Sequence, residues 1–299
     1  MKTSAVIRII LFSLAILLLS FILLSVLDQN YYIEGGRVHT YEEAEYIEPI
    51  AIAQQDEISA QIRNIEIEWA AGSITIQPDE HSQSIHVTEY APAESKYQLV
   101  MKQSGQTLKI KFCEGSVTFP SFGIDIDISK DLVITVPADW VCNSIEIDAA
   151  AADVDIHDLQ VNELDFDGAS GLLILDNCKI VNLDIDTASG DVEFTGILKE
   201  LDFDAASAKF SGEFFEMPNH LKLDAMSGDL DLVLPEYCWF TCELDTMSGS
   251  FDTDFVTTQE NGVYIHGNKD KACHIKISAL SGDVSILKGI SDPAENCNH

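Results

Sequence analysis

A short run of alternating residues recurs along the second half of the chain, and this repeat restricts the possible folds more than any other feature. Copies such as Leu164–Gly171, Leu183–Gly190 and Leu221–Gly228 alternate apolar and polar residues, carry Asp at the fourth position and end in Ser-Gly. One copy cannot bury an apolar face alone, so the copies must stack to make a core. At steps of 19, 19, 18, 20, 21 and 33 residues, they end at Ala152, Gly171, Gly190, Ala208, Gly228, Gly249 and Gly282, and a separate first copy ends at Gly72.

Two columns of the aligned copies contain only apolar residues, and polar positions flank them. This period of two is typical of a β-strand that buries one face. About nineteen residues with such strands fit one coil of a solenoid, and parallel crossovers are right-handed by default. We therefore predict an all-β fold, a right-handed parallel β-solenoid (β-helix) with coils of about nineteen residues. The columns are Ile67, Ile147, Phe166, Ile185, Phe203, Leu223, Leu244 and Ile277, and Ile74, Val154, Leu173, Val192, Phe210, Leu230, Phe251 and Val284.

The Ser-Gly pairs predict sharp turns between the two strands of a coil, because Gly tolerates backbone conformations that other residues avoid. The residue before each Ser, from Ala150 to Leu280, is predicted to point inward at this corner. The step of 33 residues predicts an insertion at about 254–273. The predicted turn residues are Ser170, Gly171, Ser189, Gly190, Ser227, Gly228, Ser248, Gly249, Ser281 and Gly282.

An apolar segment near the N-terminus predicts a transmembrane helix. Residues 9–27 carry no charge. At about 1.5 Å per residue they would span roughly 28 Å as a helix, close to the hydrocarbon thickness of a bilayer. Lys2 and Arg8 precede the segment and acidic residues follow it, so residues 1–8 are predicted to be cytoplasmic and the C-terminal domain extracellular. A cleaved signal peptide is the alternative, although no small-residue cleavage pattern ends the segment.

The remaining chain divides into a linker, the repeats and a tail. Residues 28–60 are predicted to form a juxtamembrane linker, and residues 61–288 the solenoid. Within it, residues 77–143 are an insertion of strand-like segments that form either longer coils or hairpins. Residues 289–299 are predicted to be a polar tail. Seven cysteines without a C-x-x-C pair indicate neither a zinc ribbon nor a thioredoxin-like site, and they leave disulfide pairing open.

The charge of the chain limits its partners and its chemistry. With 17 Lys and Arg against 50 Asp and Glu, the net charge is −33. Contacts to nucleic-acid phosphates need clustered basic residues, and the common nucleotide-binding, zinc-protease and nucleophile motifs do not occur. We therefore predict no nucleic-acid partner, no cofactor and no catalysis. A glycan-active β-helix enzyme is the alternative, because carboxylate pairs are abundant.

One column of the repeat is acidic, and six of its members are expected in adjacent coils. Such coils lie about 4.8 Å apart, where two carboxylates repel by about 1 kcal/mol in water. Three kinds of compensation are open: each Asp accepts hydrogen bonds from the amides of its own turn, Ca²⁺ bridges neighbouring coils, or a cationic partner binds. The candidate calcium ligands are Asp148, Asp167, Asp186, Asp204, Asp224 and Asp245, and Glu68 belongs to the same column.

The repeats resemble a large bacterial family. Segments Asp186–Phe194 and Ser278–Ile286 carry its Ser-Gly-Asp-Val pattern followed by alternating residues, and the resemblance covers about 60–288. The family comprises adhesin-like proteins with β-strand repeats, of unknown function, and includes LiaG-like proteins. The resemblance implies a β-solenoid behind one membrane span, outside the membrane, with a link to surface adhesion or envelope stress. It supplies no catalytic residues. Ala152 and Ala208 stand where the family has Gly.

Together, these features predict a non-catalytic, membrane-anchored, extracytoplasmic binding or scaffolding module of the bacterial cell envelope, adhesin-like in character. Its expected partners are the membrane, through the N-terminal helix, and an envelope protein or a cell-wall component. A regulatory partner in an envelope-stress sensing system and the glycan-active enzyme are the alternative functions.

Overall fold

The computed structural model describes residues 62–91, 99–113 and 129–289, together with the short strands Ile33–Glu34 and Arg37–Val38. The predicted cytoplasmic stub, the transmembrane helix, nearly all of the linker and the tail after Gly289 lie outside the described residues. Within the described part, no helix has the length and apolar character needed to cross a bilayer.

The described residues fold almost entirely as strands. In chain order the first nine are β1 (Ile33–Glu34), β2 (Arg37–Val38), β3 (Asn64–Asp79), β4 (His86–Tyr90), β5 (Val100–Ser104), β6 (Thr107–Lys111), β7 (Lys130–Pro137), β8 (Cys142–His157) and β9 (Gln160–Ser207). The next nine are β10 (Phe210–Phe214), β11 (His220–Ser227), β12 (Leu230–Leu234), β13 (Phe240–Ser248), β14 (Phe251–Thr253), β15 (Thr258–Glu260), β16 (Val263–His266), β17 (Cys273–Ser281) and β18 (Val284–Lys288). A 3-10 helix, Lys269–Lys271, lies between β16 and β17.

Most of these strands stack as coils, each made of a first leg before the Ser-Gly corner and a second leg after it. β8 forms one whole coil, and the long β9 runs through further coils without a break. Neighbouring coils pair in parallel and in the register that the repeat alignment predicts, for example Ile147 with Phe166 and Leu223 with Phe203. The all-β, solenoid-like architecture is thus confirmed, and the right-handed coil stays a prediction.

The two apolar columns fill the interior along the whole stack, as predicted. Every member is buried except Leu244 and Phe251, which are half-buried. Aromatic rings from the two legs meet inside, with the ring centroids of Phe203 and Phe210 5.2 Å apart. Full burial of a large apolar side chain stabilises a fold by about 1.5–3 kcal/mol, so these columns supply the main driving force for stacking.

The coil order at the C-terminal end differs from the order along the chain. The last repeat, β17 and β18, lies between the coil of β11 and β12 and the coil of β13 and β14, and pairs in parallel with both. The segment predicted as an insertion at 254–273 contains the antiparallel hairpin β15–β16, and β16 covers only Phe240–Glu243 of β13. Because all repeats share one register, strand pairing alone does not specify which coil stands last. The half-buried Leu244 and Phe251 mark the end coil.

Residues 77–143, predicted as longer coils or hairpins, contain both kinds of pairing. β6 and β7 pair in parallel with the two legs of β3, while β4 and β5 add antiparallel to them. Since β3 pairs with β8 on its other side, these strands form a layer at the N-terminal end of the stack. A buried ion pair lies in this layer: Lys130 Nζ donates to Glu89 and to the Phe112 carbonyl, and both charged side chains are 1% exposed.

The residue before each corner Ser does not point into the core, contrary to the prediction. Ala150 is exposed, and the buried position is one residue earlier, as at Ala149 and Ala205. Strand alternation continues past the acidic position, so the next inward side chain stands two residues after the apolar column.

At some corners glycine is required because neighbouring coils approach closely there, although Ala152 and Ala208 occupy the corner of two other coils. Gly171 and Gly228 have φ of 130° and 135°, in the region that other residues rarely adopt. A Cβ at either position would also collide with a backbone carbonyl of the neighbouring coil, at Ala152 and Ala208 respectively.

Candidate functional site

The first legs of the coils carry outward side chains that line up across the stack. Their inward side chains fill the core, so the positions between them point away from the core in every coil. We call this surface the acidic face. Ordered from the N-terminal end, its first column is Lys109, Glu66, Glu146, Asp165, Asp184, Asp202, Lys222, Lys276 and Glu243, and its second column is Lys111, Glu68, Asp148, Asp167, Asp186, Asp204, Asp224, Ser278 and Asp245.

Lysines neutralise the acidic face at its N-terminal end. Lys109 binds Glu66, and Lys111 Nζ lies 2.6 Å from Glu68 Oε1. A hydrogen bond to Glu66 and the charge of that carboxylate raise the pKa of Lys109. Both lysines come from β6, so the N-terminal layer supplies the counter-charges of the first coil.

A single lysine neutralises the face farther along the stack. Lys222 donates hydrogen bonds to Asp202 and to Asp204 Oδ2, the latter at 3.1 Å, and its Nζ lies 3.6 Å from Asp224 Oδ2. Burial works against its charge, but these carboxylates hold the pKa of Lys222 above its ordinary value. The sequence analysis missed Lys222. The available signal was a Lys in a column that holds Asp in the three preceding copies.

Between these ends lie six carboxylates that form no hydrogen bond or ion pair with any described residue. Partial burial raises the pKa of each, and repulsion from neighbouring carboxylates adds to the effect. At Asp186 the pKa is raised to about 6, with Asp204 and Asp167 as the strongest neighbours. These residues, which we call the central acidic strip, are Glu146, Asp148, Asp165, Asp167, Asp184 and Asp186.

A shallow groove of about 210 Å³ runs beside the first column of the acidic face. Leu164, Leu183 and Leu201 contribute to its floor, and polar side chains of four successive coils line it. We call it the polar groove. Its polar lining consists of Glu163, Asp165, Asn182, Asp184, Glu200, Asp202, His220 and Lys222.

The predicted calcium ligands are brought together only in part. Asp148, Asp167, Asp186, Asp204 and Asp224 stand in successive coils, but Ser278 of the inserted repeat separates Asp224 from Asp245. The expected run of six adjacent copies is therefore wrong at this end, because the last repeat lies inside the stack. No group of three or more His, Cys, Asp or Glu side chains among the described residues has the arrangement of a metal site. Calcium binding stays a prediction.

The amides of the corner are capped by a different set of aspartates, which the sequence analysis did not assign. Asp153 accepts from the backbone N–H of Leu172 at 2.9 Å, and Asp229 from that of Asp283 at 2.9 Å. Each acceptor directly follows the corner Gly or Ala, and each donor belongs to the next coil. The Asp of the Ser-Gly-Asp pattern was the available signal. We call this set the corner aspartates, and it comprises Asp153, Asp191, Asp229 and Asp283.

Asp224 differs from the rest of its column because it is buried. It is 5% exposed, and its Oδ1 has no hydrogen-bond partner among the described residues. A buried carboxylate oxygen without a donor is costly, by about 1–3 kcal/mol. The described residues therefore supply no N–H or O–H donor to this oxygen of Asp224.

The described thiols and imidazoles form no reactive constellation. All six described cysteines are buried, and burial raises the pKa of the Cys142 and Cys242 thiols to about 12, which leaves them inert as nucleophiles. His220 and His274 stand opposite each other in neighbouring coils, and His274 Nδ1 lies 3.0 Å from Thr241 Oγ1. This contact joins a buried Thr to an exposed His.

One family model matches the chain. Residues 139–287 match the Toastrack DUF4097 family, whose fold is β-solenoid-like, in agreement with the parallel coils. No curated protein is significantly similar to the chain.

Several solved bacterial structures are similar over most of the chain. A candidate cell adhesion protein from Clostridium sporogenes ATCC 15579 is 12% identical, with 81% of this chain and 98% of that chain covered and a TM-score of 0.39. A candidate adhesin from Bacteroides fragilis NCTC 9343 is 15% identical, with coverages of 78% and 94% and a TM-score of 0.43. At these identities and TM-scores, the similarity carries no conclusion about function.

Proposed function

Because residues 139–287 match the Toastrack DUF4097 family, we propose that the protein is a non-catalytic, adhesin-like binding module of the bacterial cell envelope. The observation that carries this proposal is the central acidic strip. Its six carboxylates lie in consecutive coils and form no ion pair with a described residue, whereas lysines pair with carboxylates in both neighbouring parts of the same face. The carboxylates of this surface repel one another, so a partner that carries cationic groups would bind there favourably.

The sequence of the N-terminal segment supports a place outside the membrane. Residues 9–27 are long and apolar enough to anchor the chain, and Lys2 and Arg8 favour a cytoplasmic N-terminus. The solenoid would then face the cell wall and the surroundings. In this position the acidic face is accessible to wall components and to other envelope proteins.

The charge of the strip specifies the kind of partner. With a net charge of −33, the chain repels nucleic acids and anionic lipid surfaces. A partner that carries several cationic groups gains charge-assisted hydrogen bonds to carboxylates on neighbouring coils. Its attraction to an exposed strip is screened by salt, because the Debye length falls to about 8 Å at physiological ionic strength.

The stacked architecture supports binding rather than catalysis. The carboxylates repeat with nearly equal surroundings in three successive coils, whereas a general acid and a general base need environments that push their pKa values apart. The pKa values of all six strip carboxyls are raised together. A repeated site of this kind suits a long ligand that makes many similar contacts.

The test is the binding of penta-lysine to the full chain in detergent micelles, measured by calorimetry at two salt concentrations. We expect binding that weakens with salt and that is lost when Asp165, Asp167, Asp184 and Asp186 are all changed to Asn. The matched control removes four outward acids of the second legs, as Asp155→Asn, Glu193→Gln, Glu213→Gln and Asp252→Asn. Equal binding by both variants would contradict the proposal, because it would reduce the effect to net charge.

A further inference from the structure

We propose that the buried side chains of Lys130 and Glu89, in the layer at the N-terminal end of the stack, condense to an intramolecular isopeptide bond. This covalent modification is independent of the proposed function. Four observations carry it: the complete burial of both groups, their direct contact, the apolar surroundings, and a set of hydrogen-bond partners that matches an amide.

The register of β4 and β7 brings the two side chains together. Glu89 is paired with Leu132 in the antiparallel ladder, and Lys130 lies two residues before Leu132 on the same buried face of β7. Lys130 Nζ donates to Glu89 Oε1, and both side chains are 1% exposed. Amine and carboxyl are therefore held in contact inside the fold. Well-oriented proximity of this kind corresponds to an effective concentration of about 10⁵ M or more.

Aromatic rings enclose the amine. The centroids of the Phe112 and Trp69 rings lie 3.9 Å and 5.0 Å from Lys130 Nζ. The Trp69 indole also donates to the Lys130 carbonyl at 3.1 Å, which fixes the ring beside the start of β7. Burial in this setting lowers the pKa of Lys130, although Glu89 acts in the opposite direction. The neutral, nucleophilic amine is thus more accessible here than at a surface lysine.

Condensation removes two charges from the interior. Ions lose their hydration when they are buried, and a buried ion pair recovers that loss only when its geometry is excellent. An amide is neutral, so its burial avoids this cost as long as its polar groups are paired. The apolar site also excludes the water that would reverse the reaction.

The hydrogen-bond partners already present match a secondary amide, which has one N–H donor and one C=O acceptor. Lys130 Nζ donates to the Phe112 carbonyl, and this carbonyl would accept the N–H that remains after condensation. Glu89 Oε2 accepts from the Leu99 backbone N–H at 3.4 Å, as the amide oxygen would. Oε1, the oxygen in contact with the amine, is the one that leaves.

The reaction balances within the pair. The ammonium of Lys130 first passes a proton to Oε1 of Glu89 along their hydrogen bond, and the neutral amine then attacks the Glu89 Cδ. The bond between Nζ and Cδ forms, and the bond between Cδ and Oε1 breaks. Oε1 leaves as water, with the proton transferred first and a second proton from the nitrogen. No oxidant, reductant or further reactant is needed.

The bond would fasten the layer that closes the N-terminal end of the stack. The end coils of a solenoid have a neighbour on one side only, so local unfolding begins there most easily. Glu89 and Lys130 are 41 positions apart, and their bond would join β4 to β7, which pairs with the second leg of β3. A cross-link that closes such a loop also restricts the unfolded chain.

The test is the intact mass of the full chain, purified in detergent, followed by a tryptic peptide map. We expect a mass lower than that of the sequence by one water, about 18 Da. In the map, segment 64–96, which holds Glu89, should be joined to segment 112–179 through Lys130, where trypsin no longer cleaves. A mass equal to that of the sequence would overturn the proposal. A water loss confined to one peptide, as from dehydration of a single Asp, would overturn it as well.

Two controls test the assignment to this pair. Lys130→Arg keeps a cation beside Glu89 but removes the amine, so this variant should retain the full mass of its own sequence. Within the unchanged chain, Lys109 and Glu66 form an ion pair whose side chains are 43% and 35% exposed. Water reaches this pair, so its peptides should stay separate. Loss of water by Lys130→Arg, or a bond between Lys109 and Glu66, would overturn the assignment, since either would show nonspecific dehydration.

Discussion

The repeat contains two sets of aspartates that differ sharply in their surroundings, although only a few residues separate them in each coil. The corner aspartates accept hydrogen bonds from backbone amides of the next coil, as Asp283 does from Ser250 at 2.7 Å, and the pKa of Asp283 is lowered by this bond. The aspartates of the central acidic strip have no described partner, and burial and repulsion raise their pKa values, at Asp186 to about 6. One set holds the coils together, and the other pushes them apart.

The difference follows from the geometry of the coil. At the corner, the backbone leaves amides of the next coil within reach of a short carboxylate. Along the straight first leg, every amide is already paired between strands, so an outward Asp finds only the equivalent Asp about 4.8 Å away. The strip therefore costs folding free energy unless something else contributes positive charge. Lys222 does so at one place, and the proposed partner would do so along the remainder.

The largest expected effect comes from removing the built-in counter-charge. Lys222→Met leaves Asp202, Asp204 and the buried Asp224 without their cation, so we expect the free energy of unfolding to fall by about 2 kcal/mol. Lys276→Met is the control, because Lys276 stands next in the same column and forms no ion pair with a described residue. Chemical denaturation of both variants measures the difference. Equal loss would show that Lys222 contributes packing of its stem and not charge.

A smaller loss is expected at the corner. Asp229→Ala removes the acceptor of the Asp283 backbone N–H, so the free energy of unfolding should fall by about 1 kcal/mol. Glu213→Ala is the control, since Glu213 is an exposed residue without a described hydrogen bond. Chemical denaturation of both variants at pH 7.5 measures the difference in the free energy of unfolding. If Asp229→Ala stabilised the chain, the corner aspartates would not differ from the aspartates of the central acidic strip.

In the central acidic strip, by contrast, we expect a substitution of Asp to stabilise the fold. Asp186→Asn removes one repelling charge and should stabilise the chain at pH 7.5 by about 0.5 kcal/mol, a small value because solvent screens this exposed side chain. The gain should vanish near pH 4, where the carboxyl is largely protonated in the folded chain. Asp204→Asn, one coil away, should instead destabilise, because Asp204 binds Lys222. If both substitutions stabilised the chain, or both destabilised it, the result would contradict the account.

The same argument predicts the pH dependence of the unchanged chain. A carboxyl whose folded pKa is raised from 3.8 to about 6 binds a proton more tightly in the folded state. Its contribution is fully present below about pH 3.8 and is lost as the pH rises through 6. The melting temperature should therefore rise as the pH falls from 7.5 to 5, and the four strip changes to Asn should flatten this slope. A melting temperature that falls over this range would contradict the assignment.

The period-two pattern predicted the fold because burial of the apolar columns dominates the energy of stacking. The core columns, the parallel register and the position of Gly at the corner all follow from that one pattern. Coil order did not follow, since β17 can pair equally well with β11 or β13 when all repeats share one register. The N-terminal layer was left open for a similar reason: its strands alternate in the same way whether they pair in parallel or antiparallel.

The sequence predicted the column of acidic side chains, but it did not predict which residues form ion pairs or hydrogen bonds with them. The acidic column was visible from the alignment, whereas its compensation depends on side chains from other coils. Lys222 neutralises Asp202 and Asp204 from a position that the repeat pattern treats as ordinary. The corner aspartates were hidden because an Asp after Gly is typical of any turn. Only the stacking of coils shows that its hydrogen bond crosses to the next repeat.

The most direct test of the central claim is the pKa of the Asp186 carboxyl, measured by NMR in the full chain with and without penta-lysine. In the free protein we predict a value of about 6, because partial burial and repulsion from Asp204 and Asp167 disfavour the ionised carboxyl. Penta-lysine should lower that value, and should leave the lowered pKa of the corner residue Asp283 unchanged as an internal control. An Asp186 pKa near 3.8 in the free protein, or one that does not respond to a bound cationic peptide, would contradict the account.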